Sequence, residues 1–269
     1  MENKISIIIP VRNRMDFLRA TVNAIVNQNY QNWEVIVVDY GGTDSCKEIL
    51  ECFDPVYKIR YIHVPEYGVW NLSRARNVGI KNAFGDLIVS LDSDIILGLN
   101  TLEVLNKHFE EHGNKYSYQI QRINLREDGM EEPMPEGTFL GCFQATSKEN
   151  FMKIHGYNEF LTGYGWEDKE VLDRLERIGV TQHWLQGTKI YHQYHPSNPG
   201  METWPNRFKS LFTWPSERPG PFAGKNWGCA TKKRMTPMEW IWKIFDYVVI
   251  TTLILPAKTF KKLIRMISK

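Results

Sequence analysis

The sequence predicts an α/β protein built on a doubly wound, mostly parallel sheet. Its first 95 residues alternate strand and helix four times, the pattern of linked βαβ units. The strands are continuous apolar runs rich in β-branched residues, as expected where both faces of a sheet are covered. Two of them end in aspartates, at Asp39 and at Asp92-Ser93-Asp94, placing carboxylates at the C-terminal sheet edge where ligands bind in such folds.

The first strand is the apolar run at residues 5–9, closed by Pro10. A helix opens at Asp16, with Leu18, Val22, Ile25 and Val26 at the spacing of one helical face. Residues 33–38 form the second strand, and the turn Gly41-Gly42-Thr43-Asp44 offers Thr43 or Asp44 as N-cap of a helix running to Leu50. A third strand covers residues 57–64, a helix covers 73–84, and Gly85 closes it. The fourth strand, residues 87–91, runs into Asp92 and Asp94. After a helix at 99–112 the pattern changes to an antiparallel excursion, with strands at 116–124 and 138–146. Helices at 148–155 and 168–178 and two short strands at 180–185 and 188–191 complete a domain at residues 1–196. Residues 197–236 are rich in Pro, Trp and Gly and read as a loop over the active-site face, a surface connector being the plainer alternative.

Composition is that of a globular protein, 42% hydrophobic and 24% charged. A net charge of +2 argues against a nucleic-acid partner. The charge is uneven: residues 232–269 hold nine Lys/Arg against two Asp/Glu. Residues 237–269 interleave Lys258, Lys261, Lys262 and Arg265 with Phe260, Leu263, Ile264 and Met266, as in a basic amphipathic helix at an anionic membrane surface. Packing on the domain or on a second subunit is the alternative, so an oligomer stays open. No run of 18 uncharged apolar residues suggests a membrane span. Cys46, Cys52, Cys142 and Cys229 lack Cys-x-x-Cys spacing, and the N-terminal residues lead directly into a strand. A cytoplasmic protein with free thiols, peripheral on the inner face of the cytoplasmic membrane, is expected.

Four groups of residues carry chemistry. Asp92 and Asp94 suggest a divalent cation, because carboxylates so near a core need a partner; a solvated acidic turn is the alternative. Arg12 and Arg14 could hold a diphosphate, and Asp39 could accept from a base or a ribose hydroxyl. The segment Asn71-Leu72-Ser73-Arg74-Ala75-Arg76-Asn77 opens a helix, where anions are favoured. Gly163-Tyr164-Gly165-Trp166-Glu167-Asp168 combines a tight turn, two aromatic faces of the kind sugars stack on and two acids, one of which could serve as general base. His192 or His195 could join two carboxylates around Mn2+ or Mg2+. Neither a Gly-x-Gly-x-x-Gly after the first strand nor a Gly-Lys-Ser/Thr loop is present, which argues against a nicotinamide oxidoreductase and a P-loop enzyme.

Together these motifs resemble an inverting GT-A fold glycosyltransferase. The N-terminal half is similar to the family 2 glycosyltransferases in its Pro-x-x-Asn opening at Pro10, its Val37-Val38-Asp39 strand end, Thr43-Asp44, Arg76-Asn77-Val78-Gly79 and Asp92-Ser93-Asp94. The Pro10–Arg14 opening and the segment ending in Glu167-Asp168 resemble β-1,4-galactosyltransferases and enzymes of the bacterial chondroitin-polymerase type. The resemblance implies a UDP-sugar donor and a saccharide or lipid-linked saccharide acceptor, with transfer of a hexose or N-acetylhexosamine in surface polysaccharide or glycoconjugate synthesis. It implies that Asp39 contacts uridine and that Pro10, Arg12, Arg14, Arg76, Asn77 and Ser93 line the donor site. Asp92 would touch the ribose, or the metal through water, and Asp94 would ligate the metal with His192, His195 being its rival. Trp166, Tyr164 and Glu167 would hold the acceptor, and Asp168 would be the catalytic base. The sequence departs from the resemblance at Asp39-Tyr40-Gly41-Gly42, where Tyr40 replaces a second acid. A catalytically inactive, sugar-nucleotide-binding member of the same fold is the competing function.

Overall fold

The computed structural model of the chain describes residues 3–44, 46–65, 70–138, 141–163 and 165–196, together with Asn206, Trp227, Gly228, Ile241 and Ile244. Chain order is β1 (Ile5–Val11), α1 (Met15–Val26), β2 (Trp33–Tyr40), α2 (Cys46–Glu51), β3 (Ile59–Val64), α3 (Leu72–Asn82), β4 (Leu87–Leu91) and β5 (Ile95–Leu97). Then follow α4 (Thr101–His112), β6 (Tyr116–Leu125), β7 (Glu131–Pro133), β8 (Phe143–Ser147), α5 (Lys148–Lys153), α6 (Glu167–Arg177) and β9 (Thr181–His192). They form one mixed sheet in the order β3-β2-β1-β4-β8-β6-β9-β5, with β7 paired to β6. The segment β3-β2-β1-β4 is parallel, while β8 joins β4 and β6 antiparallel. The doubly wound parallel half and the antiparallel excursion expected from the sequence are both present.

Every residue of β1, β2 and β4 is buried, because helices cover both faces. Alternate side chains feed two cores. Ile5, Ile7 and Ile9 join Leu18, Val22, Val35, Val37 and Val89 on one face. Ile8, Ile36, Val38 and Ile88 join Val78, Phe151, Val171 and Leu175 on the other. The chain reverses direction of winding at β1, which lies between β2 and β4, and the C-terminal ends of these strands define the crevice that such a switch point opens.

Several local expectations change. The strand expected at 138–146 is shorter and later, Phe143–Ser147. The two strands expected at 180–185 and 188–191 are one twelve-residue strand, β9, with a register shift opposite Ile120 and Gln121. Gly187 sits in the irregular part with φ of 76°, a conformation glycine tolerates and other residues resist. Asp44 does not cap α2 through a described bond; its Oδ2 accepts from the Met15 backbone N–H and so caps α1. Asn71, by contrast, caps α3 by accepting from the Arg74 N–H. Cys46, Cys52 and Cys142 are free thiols. Among the described residues no helix is long and apolar enough to cross a membrane. The expectations for residues 197–236 and 237–269 fall almost wholly outside the described residues, as does Tyr164.

Candidate functional site

The site grows out of the turn after β4. β5 follows immediately and pairs antiparallel with the end of β9, setting His192 opposite Ile95, the residue after Asp94. The Gln193 N–H then donates to the Asp94 carbonyl, holding the chain beyond β9 against the same turn. From below, the Thr21 hydroxyl on α1 donates to the carbonyl of Ser93, itself buried. The result is a cluster of Asp94, His192 and His195 whose ligand atoms lie within 4.8 Å of one another. His195 Nε2 is 3.3 Å and His192 Nε2 3.9 Å from the same Asp94 oxygen, so the structure brings both rivals to one carboxylate. Arg14 contacts that oxygen at 3.1 Å and lies 5.4 Å above the Phe17 ring. Burial pushes the His192 imidazole down to about 4, helped by the positive charge of Arg122; a neutral ring is what metal ligation requires.

Asp92 faces the other way. Its carboxylate accepts from Arg76 at 2.9 Å, and it is not a member of the Asp94 cluster. Arg76 is 1% exposed, a depth at which an unpaired cation would be untenable. Its guanidinium reaches Asp92, Glu167 at 3.4 Å and the Gly141 carbonyl at 3.1 Å, and stacks 5.0 Å from the Tyr157 ring. Arg76, for which the resemblance implied a place in the donor site, is thus occupied inside the protein. Asn77 is also fully buried: its amide donates to the Tyr157 carbonyl and Glu159, and its oxygen accepts from the Tyr157 N–H. Its visible part is to fix the backbone leading to the acidic pair.

That pair opens α6. Gly163 and Gly165 both adopt positive φ, and so does Trp166, at 77°, an uncommon state for an aromatic residue that here aims the first turn of the helix. Glu167 turns inward to Arg76, and burial pushes its carboxyl up to about 7 against the pull of that guanidinium. Asp168, half-buried, is also raised by burial, with Arg76 pulling it down. Its carboxylate lies over Gly141: a Cβ at that position would sit 1.9 Å from Asp168 Oδ2. Gly141 is therefore required where it is, and the sequence reading missed it because nothing in a lone glycine announces which side chain approaches it.

Asp39 is 1% exposed and accepts from the Tyr61 hydroxyl at 2.5 Å and the Gly42 N–H at 2.8 Å, with His63 Nδ1 at 3.2 Å. Tyr61 and His63 were also missed; the parallel register that sets His63 beside Asp39 is a tertiary fact. Pro10 is buried at the end of β1 and Arg12 is half-buried beyond it. Asn206 donates to the Gly165 carbonyl, and Trp227 packs in the second core with Lys81 3.9 Å above its ring. A separate groove of about 750 Å3, lined by Trp184, Tyr191, Gln121 and Lys189, contains none of these site residues.

The Glycosyl transferase family 2 description matches residues 6–162, a span that includes all but the first residue of β1, Asp39, Arg76 and the Asp92–Asp94 turn. The chain belongs to glycosyl transferase family 2. The family member is also similar to chondroitin synthase of Escherichia coli, 34% identical over 240 residues covering 71% of this chain and 35% of that protein. In fold it is similar to S. aureus TarS solved with UDP, with a TM-score of 0.62, 19% identity and coverage of 72% of this chain and 61% of that one. It is likewise similar to GalNAc-T7 solved with UDP, GalNAc and Mn2+, with a TM-score of 0.65, 14% identity and coverage of 79% and 49%. These are GT-A glycosyltransferases, and the mixed sheet described above is that fold. The chain spans about a fifth of the curated Rickettsia glycosyltransferases it matches, 20% in the case of Rickettsia felis. Family and fold together make this a family 2 domain of GT-A architecture.

Proposed function

We propose that the chain is an inverting, metal-dependent glycosyltransferase that moves a hexose or N-acetylhexosamine from a UDP-sugar to a saccharide hydroxyl, in surface polysaccharide or glycoconjugate synthesis. The observation that carries this is the division of labour across one tripeptide: Asp94 faces two imidazoles and Arg14, while Asp92 faces Arg76 and, through it, the acidic pair. UDP in TarS and UDP with Mn2+ in GalNAc-T7 support the choice of donor and ion. One carboxylate and two imidazoles fit Mn2+ better than Mg2+, which favours oxygen ligands. Bound there, the cation would supply positive charge to the departing diphosphate.

The chain's own groups do the rest. Arg12 and Arg14 hold the diphosphate, and Asp39, at the end of β2, meets the uridine. Glu167 and Trp166 hold the acceptor sugar. Asp168 takes the acceptor proton on its free carboxylate oxygen as the acceptor oxygen bonds to the anomeric carbon and the bond to the β-phosphate oxygen breaks. A base on the face opposite the leaving group gives inversion in one displacement.

The test is UDP release from a panel of UDP-sugars, with and without acceptor. Asp168→Asn is expected to lower transfer at least about a hundredfold while UDP-sugar still raises the thermal midpoint. Full turnover in that variant would remove Asp168 from the mechanism. Chelation with EDTA is expected to abolish turnover, and Mn2+ to restore it better than Mg2+; undiminished turnover in EDTA would reject the metal.

A further inference from the structure

The last turn of α4 carries a second group of metal-binding side chains that the transfer reaction does not use. His108 and His112 are one helical turn apart and share a face. One ligand atom each from His108, Glu111 and His112 lie within 4.8 Å of one another. His183, near the start of β9, faces them from the sheet, its ring centre 4.9 Å from that of His108 and 5.9 Å from that of His112. Tyr116 stacks on His183 at 4.9 Å and fixes its plane. Two nitrogens here, His108 Nδ1 and His183 Nε2, are buried without a hydrogen-bond partner. Buried imidazole nitrogens are ordinarily bonded, so two orphans in one cluster call for a ligand.

We infer that His108, Glu111, His112 and His183 form a structural site for Zn2+ or an ion of similar chemistry, clamping the end of α4 to the start of β9. Three imidazoles and one carboxylate are a donor set typical of tetrahedral zinc. The site is independent of the catalytic cluster. On β6, His183 pairs with Tyr118 and His192 with Asn124, six residues further along, which separates the two by about 20 Å.

Cobalt, which reports tetrahedral coordination by strong visible absorption, is the probe. Metal-stripped wild-type chain is expected to bind two Co2+, and His192→Ala/His195→Ala chain one, with the tetrahedral spectrum. Adding His112→Ala, at an exposed position, or His183→Gln is expected to weaken that remaining site at least about tenfold, since even outer partners of a metal ligand are worth that much. Zn2+ should raise the thermal midpoint of the His192→Ala/His195→Ala chain and fail to do so once His112→Ala is added. If the double variant does not fold, the same loss is read in the wild-type background as a fall from two Co2+ to one. The proposal is overturned if no tetrahedral Co2+ spectrum forms, or if it survives both His112→Ala and His183→Gln unchanged.

Discussion

Arg76 shows how much one side chain can organise. It is a cation in the core whose partners come from the turn after β4, from α6 and from the segment before β8, so it ties these three together. Burial alone would lower its pKa; Tyr157, Asp92 and Glu167 together hold it above the ordinary value, so it is permanently charged. Arg76→Ala strands the buried Glu167 carboxylate and the partly exposed Asp92 and is expected to cost about 3–5 kcal/mol, read by chemical denaturation. Arg76→Lys keeps the charge but loses the fork, and should retain fold while losing transfer. For the acids the signs differ from those of surface carboxylates. A base must be deprotonated, and Asp168 is raised, so the acid limb of kcat/KM should fall above the ordinary aspartate value of 3.8 and vanish in Asp168→Asn. Glu167 has a folded pKa above its unfolded one, so the native state holds the extra proton and loses stability as pH rises from 4.5 towards 7. Glu167→Gln should therefore gain thermal stability relative to wild type between pH 5 and pH 8.

At the scale of elements, α6 is the part that must not move. Arg174 grips Glu170 with two hydrogen bonds, at 2.8 and 2.7 Å, and donates to the Ile154 carbonyl beyond α5. Both are buried, so this pair locks the helix whose first turn carries the acids. Glu170→Ala or Arg174→Ala alone should each destabilise by about 3–5 kcal/mol, and the double variant by less than their sum, in a denaturation cycle. Gly141→Ala should displace Asp168 and lower kcat with UDP-sugar affinity retained. The sequence showed β1, β2 and β4 plainly, because strands buried on both faces are unbroken apolar runs. It hid β5 and β7, which have three residues each and no periodicity to read. Asp94 was legible as a candidate ligand from its place after β4, but the direction of Arg76 was not, since spacing says nothing of which anion a buried cation meets. The choice between His192 and His195 was likewise closed to spacing, because β9 ends at His192 and the chain bends there, letting both rings reach Asp94.

Across the whole molecule, the crevice at one end of the sheet is balanced by a polar seam at the other. Glu34, 2% exposed, accepts from the Ser6 hydroxyl, the Phe84 N–H and Arg60, and so joins β1, β2, β3 and the turn before β4. Burial raises its pKa, but Ser6, Phe84 and Arg60 outweigh that and lower it. Its stabilising contribution is present above the unfolded value near 4.5 and is lost as pH falls through the folded one. Glu34→Gln should thus lower the thermal midpoint at pH 7 and lose that effect in acid. At the far side of the sheet, Leu185 and Ile190 belong to the same core although they are five positions apart, an odd spacing that an unbroken strand would forbid. The irregularity around Gly187 shifts the strand's reading frame, so β9 is read in one phase before the glycine and in the other after it. Straightening the strand there at its present length would put Leu185 and Ile190 on opposite faces and carry His192, which follows Ile190, away from Asp94. The Asp94 cluster therefore depends on that break in the strand as strictly as on the chemistry of its histidines.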